Sequence, residues 1–316
     1  MVVVVPVAEA EVVAGERVKI FMTLYTQQTT NARKTWLLMI VFLVIVIALG
    51  WFIAQVYGAP ELLYLAVIFS LVMNVLGYWY SDKIVLKMAG ARPASREEFF
   101  DFYTVTENLA ITAGLPLPKL YVIDDPAPNA FATGRDKNHA VVAATTGLLA
   151  VLDRTELEGV VAHELSHIGN RDILLSTVVV VMVGFIAILS DIFIRTRLFG
   201  GGSRDSDSKA GGVIAIVGII LAILAPISAT LIQLAISRKR EYLADASGAL
   251  LTRYPEGLAS ALQKIAAYNQ PLKRANNAMA HLYISNPFGA KKISGLSKLF
   301  MTHPPIEERV KILRGL

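Results

Sequence analysis

Residues 155–172 have the sequence TELEGVVAHELSHIGNRD, and this stretch contains the most informative pattern in the chain. Thr155 and Glu158 have the spacing of a capping box, which predicts that a helix starts here. Within that helix, His163 and His167 are four positions apart. Positions i and i+4 differ by only about 40° around a helix axis, so both imidazoles project from one face. The spacing therefore lets the two histidines bind one metal ion.

The residue after the first histidine adds a catalytic group to this pattern. Glu164 completes the sequence H-E-x-x-H, in which the histidines bind zinc and the glutamate acts as a general base on a water molecule. The alternative is an ordinary helix that carries two solvated histidines. The pattern favours a metal-dependent hydrolase.

A catalytic zinc site also needs a third protein ligand. The chain has no cysteine, so this ligand must be a carboxylate or another histidine. Glu241 and Asp245 follow the last apolar stretch and share a helix face, which suits one as the ligand and the other as a partner for an imidazole N–H. The residues alone leave a second interpretation open, in which both carboxylates belong to a charge network beside a membrane segment.

The composition indicates a membrane protein. Hydrophobic residues make up 54% of the 316 residues and charged residues only 17%, whereas soluble domains carry about 25% charged residues. The net charge is +5, but no basic run suggests nucleic-acid binding. The absence of cysteine excludes disulfides and thiolate metal sites.

Four stretches approach or exceed the ~20 apolar residues that cross a bilayer. They are residues 36–56, 62–80, 173–194 and 213–236. A short turn separates the first two, which predicts an antiparallel hairpin. The second pair, joined by the polar loop 195–212, forms another spanning hairpin in the interpretation we favour and a re-entrant hairpin in the alternative.

The distribution of basic residues predicts the orientation of these spans. Most of the 30 Lys and Arg residues lie in the N-terminal, central and C-terminal polar regions. An even number of crossings places these regions on one side, and the positive-inside rule makes that side cytoplasmic. We therefore expect a multi-pass protein of the cell (inner) membrane, with both termini and the histidine pair in the cytoplasm.

The sequence resembles the HtpX membrane metalloproteases, a gluzincin branch shared with the CAAX prenyl protease. The resemblance rests on H-E-x-x-H at 163–167, on Arg-Asp at 171–172 and on Glu-x-x-x-Asp at 241–245. Three further segments extend it: NAFATG at 129–134, TTGLL at 145–149, and THPP with a later arginine at 302–309.

This resemblance assigns roles to the residues of the pattern. It implies that His163, His167 and Glu241 bind one zinc ion per chain. It implies that Glu164 is the catalytic base and that Asp245 orients a ligand histidine.

The resemblance also implies roles for residues outside the zinc pattern. His303 and Arg309 would stabilise the oxyanion that forms on the scissile carbonyl. The strand around residues 139–145 would be the edge strand that pairs with an extended substrate. We interpret His139 as a solvated loop residue and His281 as a core or surface histidine rather than a ligand.

The fold that follows is a mainly α membrane protein with four transmembrane helices in two hairpins. A cytoplasmic α+β, zincin-like metalloprotease domain with a small sheet completes it. The predicted divisions are an N-terminal segment (1–34), a first hairpin (35–80), a first protease part with H-E-x-x-H (81–172), a second hairpin with its loop (173–236), and a second protease part with the third ligand (237–316).

The implied activity is that of a zinc endopeptidase that cleaves misfolded or damaged membrane proteins at the cytoplasmic face, in membrane-protein quality control. Its expected partners are polypeptide substrates, the lipid bilayer and other quality-control proteases. ATP is not expected, because the chain lacks a G-x-x-x-x-G-K-[ST] sequence. Two alternatives remain: a CAAX-type prenyl-protein endoprotease, and a polytopic transporter with a structural zinc site.

Overall fold

The computed structural model describes residues 24–199, 238–289 and 304–316. The fourth predicted span, 213–236, and the site candidate His303 lie outside these residues.

The first two helices form the predicted hairpin. Helix α1 (Leu24–Tyr57) begins well before the apolar stretch, and α2 (Glu61–Trp79) follows after a short turn. Gly58 adopts φ 61° in that turn, in the left-handed region that favours glycine. Large apolar side chains on both helices face outward, among them Trp36, Leu37, Ile40, Leu65 and Ile68. Such surfaces are suited to lipid.

Two helices of the described part of the chain are long and apolar enough to cross a membrane, at Thr30–Phe52 and Glu61–Trp79. The third predicted span belongs to α7 (Asp172–Phe199). The first part of α7 and the preceding helix α6 (Arg154–Gly169) are bent by 85°, and together they could form one broken span or a re-entrant loop. The arrangement with four spans therefore stays a prediction, with two candidate helices found.

The polar part of the chain combines short helices with a four-stranded sheet. Its remaining described helices are α3 (Ser81–Ala89), α4 (Phe100–Thr112), α5 (Thr146–Val151), α8 (Arg238–Thr252), α9 (Pro255–Ala267) and α10 (Ile306–Leu313). Its strands are β1 (Ala91–Pro93), β2 (Lys119–Ile123), β3 (Ala130–Gly134) and β4 (Ala140–Thr145).

The strand order β1-β2-β4-β3 decides which strand borders the histidine helix. Strands β2 and β4 run parallel, and β3 pairs antiparallel with β4, with Ala132 opposite Val142. The expectation that the strand around 139–145 is an edge strand is therefore wrong, because β4 is enclosed by two neighbours. The outer strand next to β4 is β3. The two strands are joined by the turn at residues 135–139, and the sequence does not indicate that this turn folds β3 back onto β4.

Helix α6 starts two residues earlier than the sequence predicts. Asp153 accepts a hydrogen bond from the backbone N–H of Glu156, and the Glu156 carboxylate accepts one from the backbone N–H of Asp153, each at 2.9 Å. This capping box replaces the predicted pair of Thr155 and Glu158. Lys264 and Ser260 of α9 also contact Glu156, so the cap is fixed by tertiary contacts as well.

Glycines let two helices approach α6 closely. A Cβ on Gly159 would lie 2.5 Å from the backbone nitrogen of Leu258 in α9. A Cβ on Gly248 of α8 would lie 3.0 Å from the backbone nitrogen of His163. The position of α8 relative to the histidines therefore depends on the missing side chain at 248.

We expect Gly159→Ala to destabilise the protein by about 1–3 kcal/mol, because the added methyl group would force α9 away from α6. Helix propensity alone would favour alanine by about 1 kcal/mol. Gly169→Ala, in the same helix, is the matched control, since the atom nearest to its Cβ would be 3.9 Å away. Thermal unfolding midpoints in detergent measure both, and an unchanged or raised midpoint for Gly159→Ala would contradict the close approach.

Candidate metal centre

Helices α6 and α8 bring three side chains with metal-binding atoms together. Nε2 of His163 and Nε2 of His167 are 3.2 Å apart. The Glu241 carboxylate approaches both rings, with one oxygen 3.9 Å from Nε2 of His163 and the other 3.6 Å from Nε2 of His167. Suitable ligand atoms of the three residues all lie within 4.8 Å of one another.

A carboxylate lies behind each imidazole. Nδ1 of His163 is 2.9 Å from Asp245 in a close polar contact, and Nδ1 of His167 is 3.1 Å from Oδ2 of Asp172. Each ring thus directs Nδ1 to a carboxylate and Nε2 to the centre of the cluster. This is the usual arrangement of metal-binding histidines, whose other nitrogen is oriented by an acceptor.

The contact of Asp172 with His167 was not predicted, although Asp172 belongs to the pattern that carries the family resemblance. Asp172 is the first residue of α7, and the chain turns sharply before it. Arg171 adopts φ 57°, which is uncommon for a residue other than glycine. The bend of 85° between α6 and α7 places Asp172 beside His167. The signal in the sequence is a polar residue at a helix break, five positions after His167.

Glu164 lies beside the cluster, on the side of α6 that faces strand β3. Its side chain is buried, and the backbone N–H of Ala132 on the edge strand β3 interacts with the carboxylate. Burial raises the pKa of Glu164 to about 7, and the negative charge of Glu241 acts in the same direction. A carboxyl group with a pKa near neutrality can accept and release a proton under ordinary conditions.

The two imidazoles differ in their electrostatic surroundings. Burial lowers the pKa of His163 to about 4, although Asp245 opposes this. Burial also acts to lower the pKa of His167, but the carboxylates of Asp172 and Glu241 outweigh it and raise the pKa to about 9. The carboxylates of Asp172 and Glu241 thus place negative charge around His167, which a bound cation would balance.

Asp245 is held by an arginine on its far side. Nε and one terminal nitrogen of Arg309 donate hydrogen bonds to the two oxygens of Asp245, at 2.8 and 2.7 Å. The other terminal nitrogen of Arg309 donates to the backbone oxygen of Ile284, at 3.1 Å. Burial would raise the pKa of Asp245, but Arg309 and His163 lower it to about 2. The carboxylate is therefore ionised, and its position is fixed.

The structure separates the remaining predicted residues into two groups. His139 is an exposed residue of a short turn and pairs with Asp136, and His281 is buried and donates from Nε2 to the backbone oxygen of Ser176, at 3.1 Å. The interpretation of His139 as a solvated loop residue and of His281 as a core residue agrees with these positions. His303 lies outside the described residues.

The donor set fits a divalent metal ion. Two nitrogens that each lie about 2.0–2.1 Å from a tetrahedral zinc ion are separated by about 3.3 Å, close to the 3.2 Å between the histidine nitrogens. Three protein ligands leave one coordination position for water or substrate, as catalytic sites require. The buried carboxylates around the rings supply the negative charge that favours a cation.

Comparison with known proteins shows the family to which the chain belongs. The model of peptidase family M48 matches residues 98–316. The "Protease HtpX homolog" of Caldanaerobacter subterraneus subsp. tengcongensis is 48% identical over 299 residues, which cover 93% of this chain and 98% of the relative. That of Tropheryma whipplei strain Twist is 44% identical over 293 residues, covering 93% and 98%.

A solved structure also shows a partial likeness. The crystal structure of S. mikatae Ste24p aligns with a TM-score of 0.48 and 20% sequence identity, over 92% of this chain and 67% of that one. The assignment itself rests on the sequence matches, which cover most of the chain at high identity. On these matches the chain belongs to peptidase family M48, among the HtpX homologues, and is a membrane metalloprotease.

Proposed function

We propose that this protein is a zinc endopeptidase that cleaves misfolded or damaged membrane proteins at the cytoplasmic face of the cell membrane. The observation that carries the proposal is the cluster of His163, His167 and Glu241, with Glu164 buried beside it. Two imidazoles and one carboxylate are a typical ligand set of catalytic zinc.

The same cluster argues against the transporter alternative. A structural zinc site is normally closed by four protein ligands, whereas the cluster found among the described residues has three. A structural site would also give no role to Glu164, whose buried carboxyl group has a pKa near neutrality.

In the proposed hydrolysis of a peptide bond, each residue of the site has a separate role. Zinc, when bound, polarises the scissile carbonyl and lowers the pKa of water. A Glu164 carboxylate oxygen takes a proton from the attacking water as the water oxygen bonds to the carbonyl carbon. The same oxygen then delivers the proton to the leaving amine nitrogen as the C–N bond breaks. Asp245 and Asp172 hold the Nδ1 atoms so that both Nε2 atoms face the centre.

The contacts of Arg309 favour a positioning role over the oxyanion contact that the sequence predicts. Its three nitrogens donate to Asp245 and to the backbone oxygen of Ile284, and its side chain is wholly buried. We therefore propose that Arg309 acts through Asp245 on His163. Stabilisation of the oxyanion by His303 stays a prediction.

The proposed substrates follow from the place of the site beside the membrane helices. Residues near the middle of α1, such as Leu38, form one buried cluster with residues in the first turns of α7, such as Leu175. Trp36 and Tyr78 stack at the same end of the hairpin, with ring centroids 5.9 Å apart. Aromatic rings of this kind gather at membrane interfaces. A site near the membrane interface suits substrates whose loops or tails emerge from the bilayer. The distribution of Lys and Arg residues supports the cytoplasmic side as the location of the site.

Glu164→Gln should retain the metal and lose peptide hydrolysis by about 10²–10⁴-fold, because the change removes the base and leaves the ligands. The measurement compares metal content and cleavage of an unfolded membrane protein by detergent-purified variants. Glu158→Gln is the matched control, since Glu158 lies on the same helix and contacts Arg154 rather than the cluster. Wild-type cleavage by Glu164→Gln would contradict the assigned base.

Glu241→Ala should leave the protein with less than one metal ion per chain and without activity, because two imidazoles alone bind zinc weakly. Metal analysis after dialysis against a weak chelator measures this. Full occupancy together with full activity would place the third ligand elsewhere. Glu256→Ala serves as the control, because Glu256 is an exposed partner of Arg314.

Arg309→Lys separates the two roles considered for this arginine. If Arg309 positions Asp245, the loss of its paired hydrogen bonds should lower metal affinity by about 10-fold together with kcat. If it contacts the oxyanion directly, kcat should fall while metal affinity stays unchanged. Arg314→Lys is the matched control, because Arg314 makes the same kind of paired contact with Glu256 on the exposed surface. Chelator competition and steady-state kinetics provide the two readouts.

A further inference from the structure

We infer that Asn31, in the membrane helix α1, is a positioning residue of the metal centre. Asn31 is only 3% exposed, although it lies at the start of the first membrane-crossing stretch. The inference rests on the proposed metal centre and extends it to a part of the chain outside the segment that matches the peptidase family model.

Both polar atoms of the Asn31 side-chain amide, Nδ2 and Oδ1, form hydrogen bonds. Nδ2 donates to Oδ1 of Asp172 and, at 3.2 Å, to the backbone oxygen of Asn170. Oδ1 accepts a hydrogen bond from a terminal nitrogen of Arg240, at 3.3 Å. The amide orientation is defined by these neighbours, since the nitrogen faces two acceptors and the oxygen faces a cation.

These hydrogen bonds connect Asn31 to residues that adjoin two proposed metal ligands, His167 and Glu241. Asp172 places one carboxylate oxygen on Asn31 and the other on Nδ1 of His167. Arg240 immediately precedes Glu241 in α8 and is buried. Asn31 therefore lies between the segment that orients His167 and the segment that carries the third ligand.

The chemistry at this point requires both a donor and an acceptor. Asp172 is buried, and one of its oxygens would lose a hydrogen bond if Asn31 lacked its N–H groups. Arg240, whose Nε lies 3.8 Å from Oδ1 of Asp172, would then draw the carboxylate away from His167. An aspartate at position 31 would set a second carboxylate against Asp172, so side-chain shape alone cannot replace the amide.

Helix α1 is thus a structural part of the metal centre as well as a membrane helix. Partners that orient metal-binding histidines typically change metal affinity by 10–100-fold when they are removed. Because Asn31 acts through Asp172, we expect the lower end of this range, about 10-fold.

The test uses the full chain in detergent, with Asn31→Ala and the isosteric Asn31→Asp. Zinc affinity is measured by chelator competition, and the visible spectrum of the cobalt(II)-loaded protein reports ligand geometry. Asn74→Ala is the matched control, because Asn74 lies on the neighbouring membrane helix and, among the residues that the structure describes, donates to the backbone oxygen of Ser70 rather than to the metal centre. His167→Ala shows the loss expected when a ligand is removed.

We expect both Asn31 variants to bind zinc about 10-fold more weakly and to change the cobalt spectrum, while Asn74→Ala matches the wild type. If Asn31→Ala does not fold, Asn31→Asp decides the question, because it preserves the volume of the side chain. Wild-type affinity and spectrum in a folded Asn31 variant, alongside zinc loss in His167→Ala, would overturn this inference alone. Retention of zinc by His167→Ala would overturn the proposed metal centre and this inference with it.

Discussion

Four buried carboxylates around two imidazoles are the constraint on which the rest of the structure depends. Taking carboxylates out of water is costly unless each is paired or hydrogen-bonded. Arg309 balances Asp245, and Asp172 is bonded to His167 and Asn31. The remaining two, Glu164 and Glu241, share a centre that a divalent cation would complete. The helices around the centre supply these partners: α10 carries Arg309, α6 carries His167 and α1 carries Asn31.

Helix packing makes this concentration of charge possible. Gly248 lets α8 lie against the backbone of α6, so that the Glu241 carboxylate reaches both rings. Thr133 of the edge strand and Thr177 of α7 are joined by a hydrogen bond of 2.9 Å, which ties the sheet to the helix that begins at Asp172. The site is therefore assembled from a sheet edge, the helices α6 and α8, the start of α7 and, through Asn31, the membrane helix α1.

Local spacing predicts the parts of the site that lie on one helix, and apolar length predicts the membrane hairpin. The H-E-x-x-H pattern fixes the two proposed histidine ligands and Glu164 in relation to each other, whatever the tertiary structure. By contrast, the edge position of β3, the contact of Asp172 with His167 and the partner of Arg309 depend on segments far apart in the chain. The sequence predicts the cap of α6 two residues too late, because Thr155 and Glu158 have the same spacing as Asp153 and Glu156. Contacts of Glu156 with Ser260 and Lys264 of α9 favour the observed pair.

The elements of the centre are also widely separated in the order of synthesis. Asn31 is made first, the histidine helix follows more than a hundred residues later, and Glu241 comes only after the two apolar stretches that follow this helix. A ribosome-bound chain whose first hairpin has been made therefore still lacks Glu241, the proposed third ligand. Metal capture, and with it the power to cut peptide bonds, must wait until the later segments have emerged and packed. The chain order itself delays the appearance of a destructive activity until its membrane framework is in place.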